Sequence, residues 1–154
     1  MSGLNFNDTD NKAFTKSLIF SESNSGGAVV RNMTTSLYPN GSMISINPST
    51  SSNNVTYNLP TASAASGFKY NFFFNANAGT SVIVKIGPNS DVAGGFIHTS
   101  DDALASHSGI SKVVFGAATA KQYDMVEFFS DGSKWYYKVH HQGTAAEVTV
   151  EAAG

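Results

Sequence analysis

The stretch HTSDDALASH (98–107) holds the residue types best suited to chemistry: two imidazoles, His98 and His107, and two carboxylates, Asp101 and Asp102. Imidazole nitrogens and carboxylate oxygens are the donors a divalent ion takes from protein. Their spacing here fits no metal-binding pattern. A stretch rich in Asp and Ser reads as a solvated connection with one helical turn capped by Ser100. His140 and His141 are neighbours on a strand, so they point to opposite faces and cannot share an ion. They read as the end of an edge strand. Glycosidase chemistry needs two carboxylates facing one cleft. The candidates are Asp91, Asp124 and Glu127, and Asp124 and Glu127 differ in parity along one strand. No Gly-x-Ser-x-Gly, phosphate-binding glycine loop or His-Glu-x-x-His occurs. The expectation is a protein that is not an enzyme, with no catalytic residue, no cofactor and no metal.

The elements around these residues read as strands. In GFKYNFFFNA (67–76), Phe68, Tyr70, Phe72 and Phe74 occupy alternate positions, which places four rings on one face of a strand. Val82, Val84 and Ile86 alternate in the same way. In QYDMVEFFSDGSKWYYKVHH (122–141), Asp131-Gly132 is a hairpin turn signal. Centring the turn there opposes Phe128 to Trp135 and Val126 to Tyr137, with Trp135 inward. Shorter strands are expected at 18–20, 28–33, 43–46, 55–60, 92–98 and 110–115, and near Val148 and Val150. No internal repeat is evident. Roughly ten short strands and almost no helix suit an antiparallel β-sandwich or jelly roll. The four rings of 67–76 belong to its core, since burying each contributes about 1.5–3 kcal/mol.

The chain has 154 residues and no cysteine, so a disulfide framework and thiolate metal sites are excluded. Charged residues make up 13% and net charge is −2, which removes the basic surface a nucleic acid requires. No run of apolar residues is long enough to span a membrane, and the amino terminus has no secretory-signal pattern. Asn-x-Ser/Thr triplets at Asn7, Asn32, Asn40 and Asn54 read as products of an Asn-, Ser- and Thr-rich composition. Residues 1–16 read as an N-terminal arm and 17–154 as a single domain. Leu4, Phe6 and Phe14 stand out in the polar arm as anchors for a partner surface, or as part of a strand added to this sheet or a neighbour's. Phe73, among Asn71 and Asn75, and Tyr136, on the outer face of the hairpin, are candidate contacts with another subunit.

NLPTASAASGFKYNFFF, TSVIVKIG and MVEFFSDGSKWYYKV together resemble a pattern of tailed-phage structural proteins. There a Leu-Pro strand leads through small residues and Gly into an aromatic strand, and a late hairpin carries Asp-Gly-x-x-Trp. In this chain Leu59, Pro60, Gly67, Asp131, Gly132 and Trp135 carry the likeness. The chain is similar to phage head decoration (cement) proteins of jelly-roll type over roughly residues 55–141. That resemblance implies a non-enzymatic protein on the outer surface of a virion, a homotrimer bound to the major capsid protein. A carbohydrate- or receptor-binding tail-fibre module is the alternative.

Overall fold

The computed structural model describes residues 19–23, 28–49, 54–88, 91, 93–101 and 103–152. The arm anchors Leu4, Phe6 and Phe14, and Asp102, lie outside the described residues. The described chain is all-β, with eleven strands and one 3-10 turn at Ala145–Glu147. The strands are β1 (Ile19–Ser23), β2 (Val29–Asn32), β3 (Met43–Asn47), β4 (Val55–Leu59), β5 (Lys69–Phe74) and β6 (Val84–Pro88). They continue as β7 (Ala93–Thr99), β8 (Leu104–Phe115), β9 (Met125–Ser130), β10 (Trp135–His141) and β11 (Val148–Ala152).

Their order in the sheet is β1-β3-β5-β9-β10-β7-β8-β6-β4-β2, with β11 on the free side of β8. The sheet is mixed, which corrects the antiparallel expectation. β1, β3 and β5 stack in parallel, and β2, β4 and β6 do the same. The chain therefore alternates between two parallel ladders. One circuit takes 24 residues from Ile19 to Met43 and 28 from Met43 to Asn71. β6 and β7 then run one after the other along the same side of the long β8, antiparallel to it. The hairpin β9–β10 fills the gap between β5 and β7.

Asparagine explains how successive circuits hold together. Asn58 donates to the side chain of its in-register neighbour Asn32 at 2.8 Å, and Asn75 donates to Ser45 at 2.8 Å. At the corners, Asn40, Asn54 and Asn77 accept backbone N–H groups of Lys69, Ile83 and Gln122. Backbone polar groups at a bend need such partners once they leave the ladder. Much of the Asn content is thus spent inside the fold, on the joints between circuits.

The sheet curls so that distant strands meet ring to ring. Tyr57 on β4 packs edge-on to Phe72 on β5 at 5.3 Å, and Phe74 on β5 meets Phe115 on β8 at 4.9 Å. Tyr70, Phe72, Phe74, Val82, Val84 and Ile86 are fully buried, as their alternation predicts. Phe68 lies just before β5 and packs partly buried against the same core.

The hairpin register differs from the one expected. Trp135 opposes Ser130, Tyr137 opposes Phe128 and Val139 opposes Val126, because the connection spans residues 131–134 rather than a two-residue turn. The cause is Asp131. Its carboxylate accepts the N–H groups of Ser133 at 2.8 Å and Lys134 at 2.9 Å, closing a wider loop. The shift is even, so every side chain keeps its expected face and Trp135 is buried beside Phe128. His140 and His141 are not at an edge either, since β10 lies between β9 and β7. Ser100 and Asp101 lie in a turn after β7, and residues 104–107, expected in a helical turn, belong to β8; Ser100 donates its hydroxyl to Gly143 O at 3.1 Å.

Candidate functional site

The residues that carry the phage-protein resemblance converge in space. The Trp135 indole N–H donates to Pro60 O at 3.0 Å, and Gly67 N–H donates to Ser130 O at 2.9 Å. Ser130 donates its hydroxyl to Ala62 O at 3.0 Å, below the Leu59-Pro60 corner. Gly132 sits at φ +91°, where a Cβ would press on the Ser66 hydroxyl. The small-residue linker is small because the hairpin tip docks on it. These residues form a joint: Trp135, Ser130 and Gly67 spend their donors across it, while the Asp131 carboxylate stays on the surface, bound to its own loop and to Tyr136.

A second cluster escaped the sequence reading. His141 is buried at the inner end of β10, in line with Trp135, Tyr137 and Val139. Its Nδ1 lies 2.7 Å from Asp124 Oδ2 and its Nε2 3.1 Å from Glu147 Oε2. Asp124 is fully buried and also accepts the N–H groups of Lys121 at 2.7 Å and Gln142 at 2.8 Å. Glu147 accepts Thr144 N–H at 2.7 Å, and Lys121 Nζ stands 3.6 Å from its other oxygen. Burial alone pulls the imidazole pKa down, but the Asp124 hydrogen bond and charge, then those of Glu147, outweigh it and the net direction is up. The Thr144 N–H holds the Glu147 carboxyl below its usual range, with His141 and Lys121 assisting. An imidazole that donates from both nitrogens is an imidazolium and has no lone pair for a proton. The cluster clamps the start of β9, the end of β10 and the turn into β11. The signal was the Trp-Tyr-Val-His parity, which puts His141 on the core face.

The other sequence candidates stand apart. His98 and His107 point to opposite faces, because His98 opposes Leu104 while His107 opposes Gly95. Asp101 is held by the Thr99 hydroxyl. Asp91 accepts the N–H of Ala62, and Glu127 pairs with Lys69 at 2.7 Å on the outer surface, away from buried Asp124.

Phe73 and Tyr136 do come together, on the outer face of β3, β5, β9, β10 and β7. Register defines three transverse rows there. Phe73, Met125, His140, His98 and Leu104 form one; Asn71, Glu127, Lys138, Phe96 and Ser106 the next; Lys69, Phe129, Tyr136 and Gly94 the third. Among the described residues nine large apolar side chains are exposed, and seven belong to this face: Met43, Phe96, Leu104, Tyr123, Met125, Phe129 and Tyr136. Met43, Phe73, Tyr123 and Met125 surround an almost wholly apolar hollow of about 230 Å³. Phe129 and Tyr136 stack at 5.9 Å, and the Tyr136 hydroxyl donates to Asp131 at 2.9 Å. The charges on the face, Lys69, Glu127 and Lys138, form one short stripe. Exposed apolar side chains gathered in one place are a feature of surfaces that meet other molecules. Comparison with family models, with curated proteins and with solved structures finds no match.

Proposed function

We propose that this protein is a non-enzymatic virion structural protein that decorates the outer surface of a phage capsid and assembles, as a homotrimer, through the outer face of β3, β5, β9, β10 and β7. One observation carries the assembly reading: among the described residues, seven of the nine exposed large apolar side chains fall on that face or at its margins, Leu104 on the start of β8 and Tyr123 just before β9. Met125, Phe129 and Tyr136 are the anchors, flanked by the hollow at Phe73. The Lys69, Glu127 and Lys138 stripe sets orientation. The phage and capsid parts of the reading rest on the Leu59-Pro60, Gly67 and Asp131-Gly132-x-x-Trp135 resemblance. In this reading the curled sheet acts as a two-layered, sandwich-like body with the β4 rings over those of β5.

A stable specific interface buries about 1,000 Å² or more, and a cluster of aromatic and Met side chains is its usual centre. Sedimentation equilibrium tests the reading. The parent chain is expected to sediment as a trimer, and a Met125→Lys, Phe129→Lys variant as a monomer with an unchanged far-UV spectrum. Parent protein that remains monomeric at high concentration overturns it. The stacked pair Phe129 and Tyr136, with Lys134 Nζ 5.2 Å from the Tyr136 ring, favours a second reading as a carbohydrate-binding module. Saturation of that pair by a glycan in a monomeric protein would select it.

A further inference from the structure

In the row that crosses the outer face, His98 and His140 are direct partners in the parallel ladder of β7 and β10. Their ring centres lie 5.7 Å apart with the planes at 86°. Two imidazoles bound to one ion at about 2.0–2.1 Å hold their ring centres roughly 4.5–5.2 Å apart for bond angles from square to tetrahedral. Rotating the two side chains closes the difference, since adjacent strands already hold the backbones about 4.8 Å apart.

The two rings are also free to bind. Among the described residues, no ring nitrogen of His98 or His140 has a hydrogen-bond partner, whereas both nitrogens of His141 are occupied. His98 and His140 border an open hollow of about 310 Å³ with Thr99, Ser100, Tyr123 and Gln142. Met125 follows His140 in the row and borders a separate hollow on the far side of His140 from His98.

We propose that His98 and His140 chelate one divalent first-row transition-metal ion, binding Cu²⁺ most tightly and Ni²⁺ and Zn²⁺ less so. The protein supplies two ligands; the site lies on the face proposed above for assembly, so the remaining positions are open to water in a chain whose outer face is uncovered. Such an ion exchanges readily and does not hold the fold together. The set His98, Asp101 and His107, adjacent in sequence, does not form this site because His107 is on the other face.

Calorimetric titration of the full chain with Cu²⁺, in a buffer that does not bind metal, tests the site. One ion per chain is expected, and paramagnetic resonance should show splitting from two imidazole nitrogens. His98→Ala and His140→Ala should each weaken binding at least about tenfold. His107→Ala should leave it unchanged. The substituted positions lie on the surface, so a far-UV spectrum confirms that each variant is folded. Absence of binding up to about 1 mM, or parent-like affinity in the His98→Ala, His140→Ala double variant, overturns the proposal.

Discussion

At the scale of single residues, His141 shows how far a side chain's role depends on its depth. As one of two adjacent histidines it reads as a polar strand end. Its position two residues beyond Val139 on the core face assigns it to the interior, and there it becomes the positive centre between Asp124 and Glu147. The partners were not legible, because Glu147 arrives from a turn whose path local pattern does not specify. Removing one member of a buried charged set leaves the others unpaired, so Asp124→Ala is expected to cost about 3–5 kcal/mol in chemical denaturation. The pH dependence has two limbs. The His141 pKa is raised in the folded state, so its contribution is complete below the ordinary value of 6.5 and is lost as pH rises through the raised one. The Glu147 pKa is lowered, so its contribution is complete above 4.5 and is lost as pH falls through the lowered one. Both are present between pH 4.5 and 6.5, and thermal melting should show its maximum in that window. In a His141→Gln variant the maximum should flatten. A variant that keeps the parent's profile would remove the clamp from the account.

At the scale of elements, alternation located the inward face of β5, β6 and the β9–β10 hairpin but not their exact partners, and it missed the first half of β8, which reads as a solvated connection. The hairpin is the instructive case: Asp-Gly marked the tip, while the Asp131 carboxylate widened the loop and moved the pairing by two residues. Facing survived because the shift was even. Trp135 keeps its place in the core, stacked on Tyr70 at 5.8 Å and tied to Pro60 O. Trp135→Ala is expected to cost about 3–5 kcal/mol. The chain has one Trp, so unfolding of this variant must be followed by circular dichroism rather than indole emission. Gly132→Ala places a Cβ at φ +91° against Ser66 and should cost about 1–3 kcal/mol in the same assay.

At the scale of the whole molecule, the strand content was legible and the topology was not. A parallel stack of circuits needs only that apolar positions recur with the right parity, and circuits of 24 and 28 residues hide that recurrence from a search for fixed repeats. The apolar outer face was half legible. Phe73 and Tyr136 were singled out, but Met43, Phe96, Leu104, Tyr123, Met125 and Phe129 join them only through the strand order. The same order makes the C-terminal part indispensable. A chain ending at Lys121 loses β9 and β10 from the middle of the sheet, and is expected to be insoluble and to lack the parent's far-UV spectrum.

That central hairpin also bears on how the chain is born. The strands that join β5 to β7 leave the ribosome well after β5 itself, 67 residues after Phe74 for the end of β10. At about 5–20 residues per second, the edge of β5, with Tyr70 and Phe72, waits roughly 3–11 s for β9, and the edge of β7 roughly 2–8 s for β10. During that interval the nascent chain carries two open edges, each a template for a neighbouring nascent chain on the same message. Slower translation of residues 75–141 should therefore lower soluble yield, and chaperones that shield open strands should restore it.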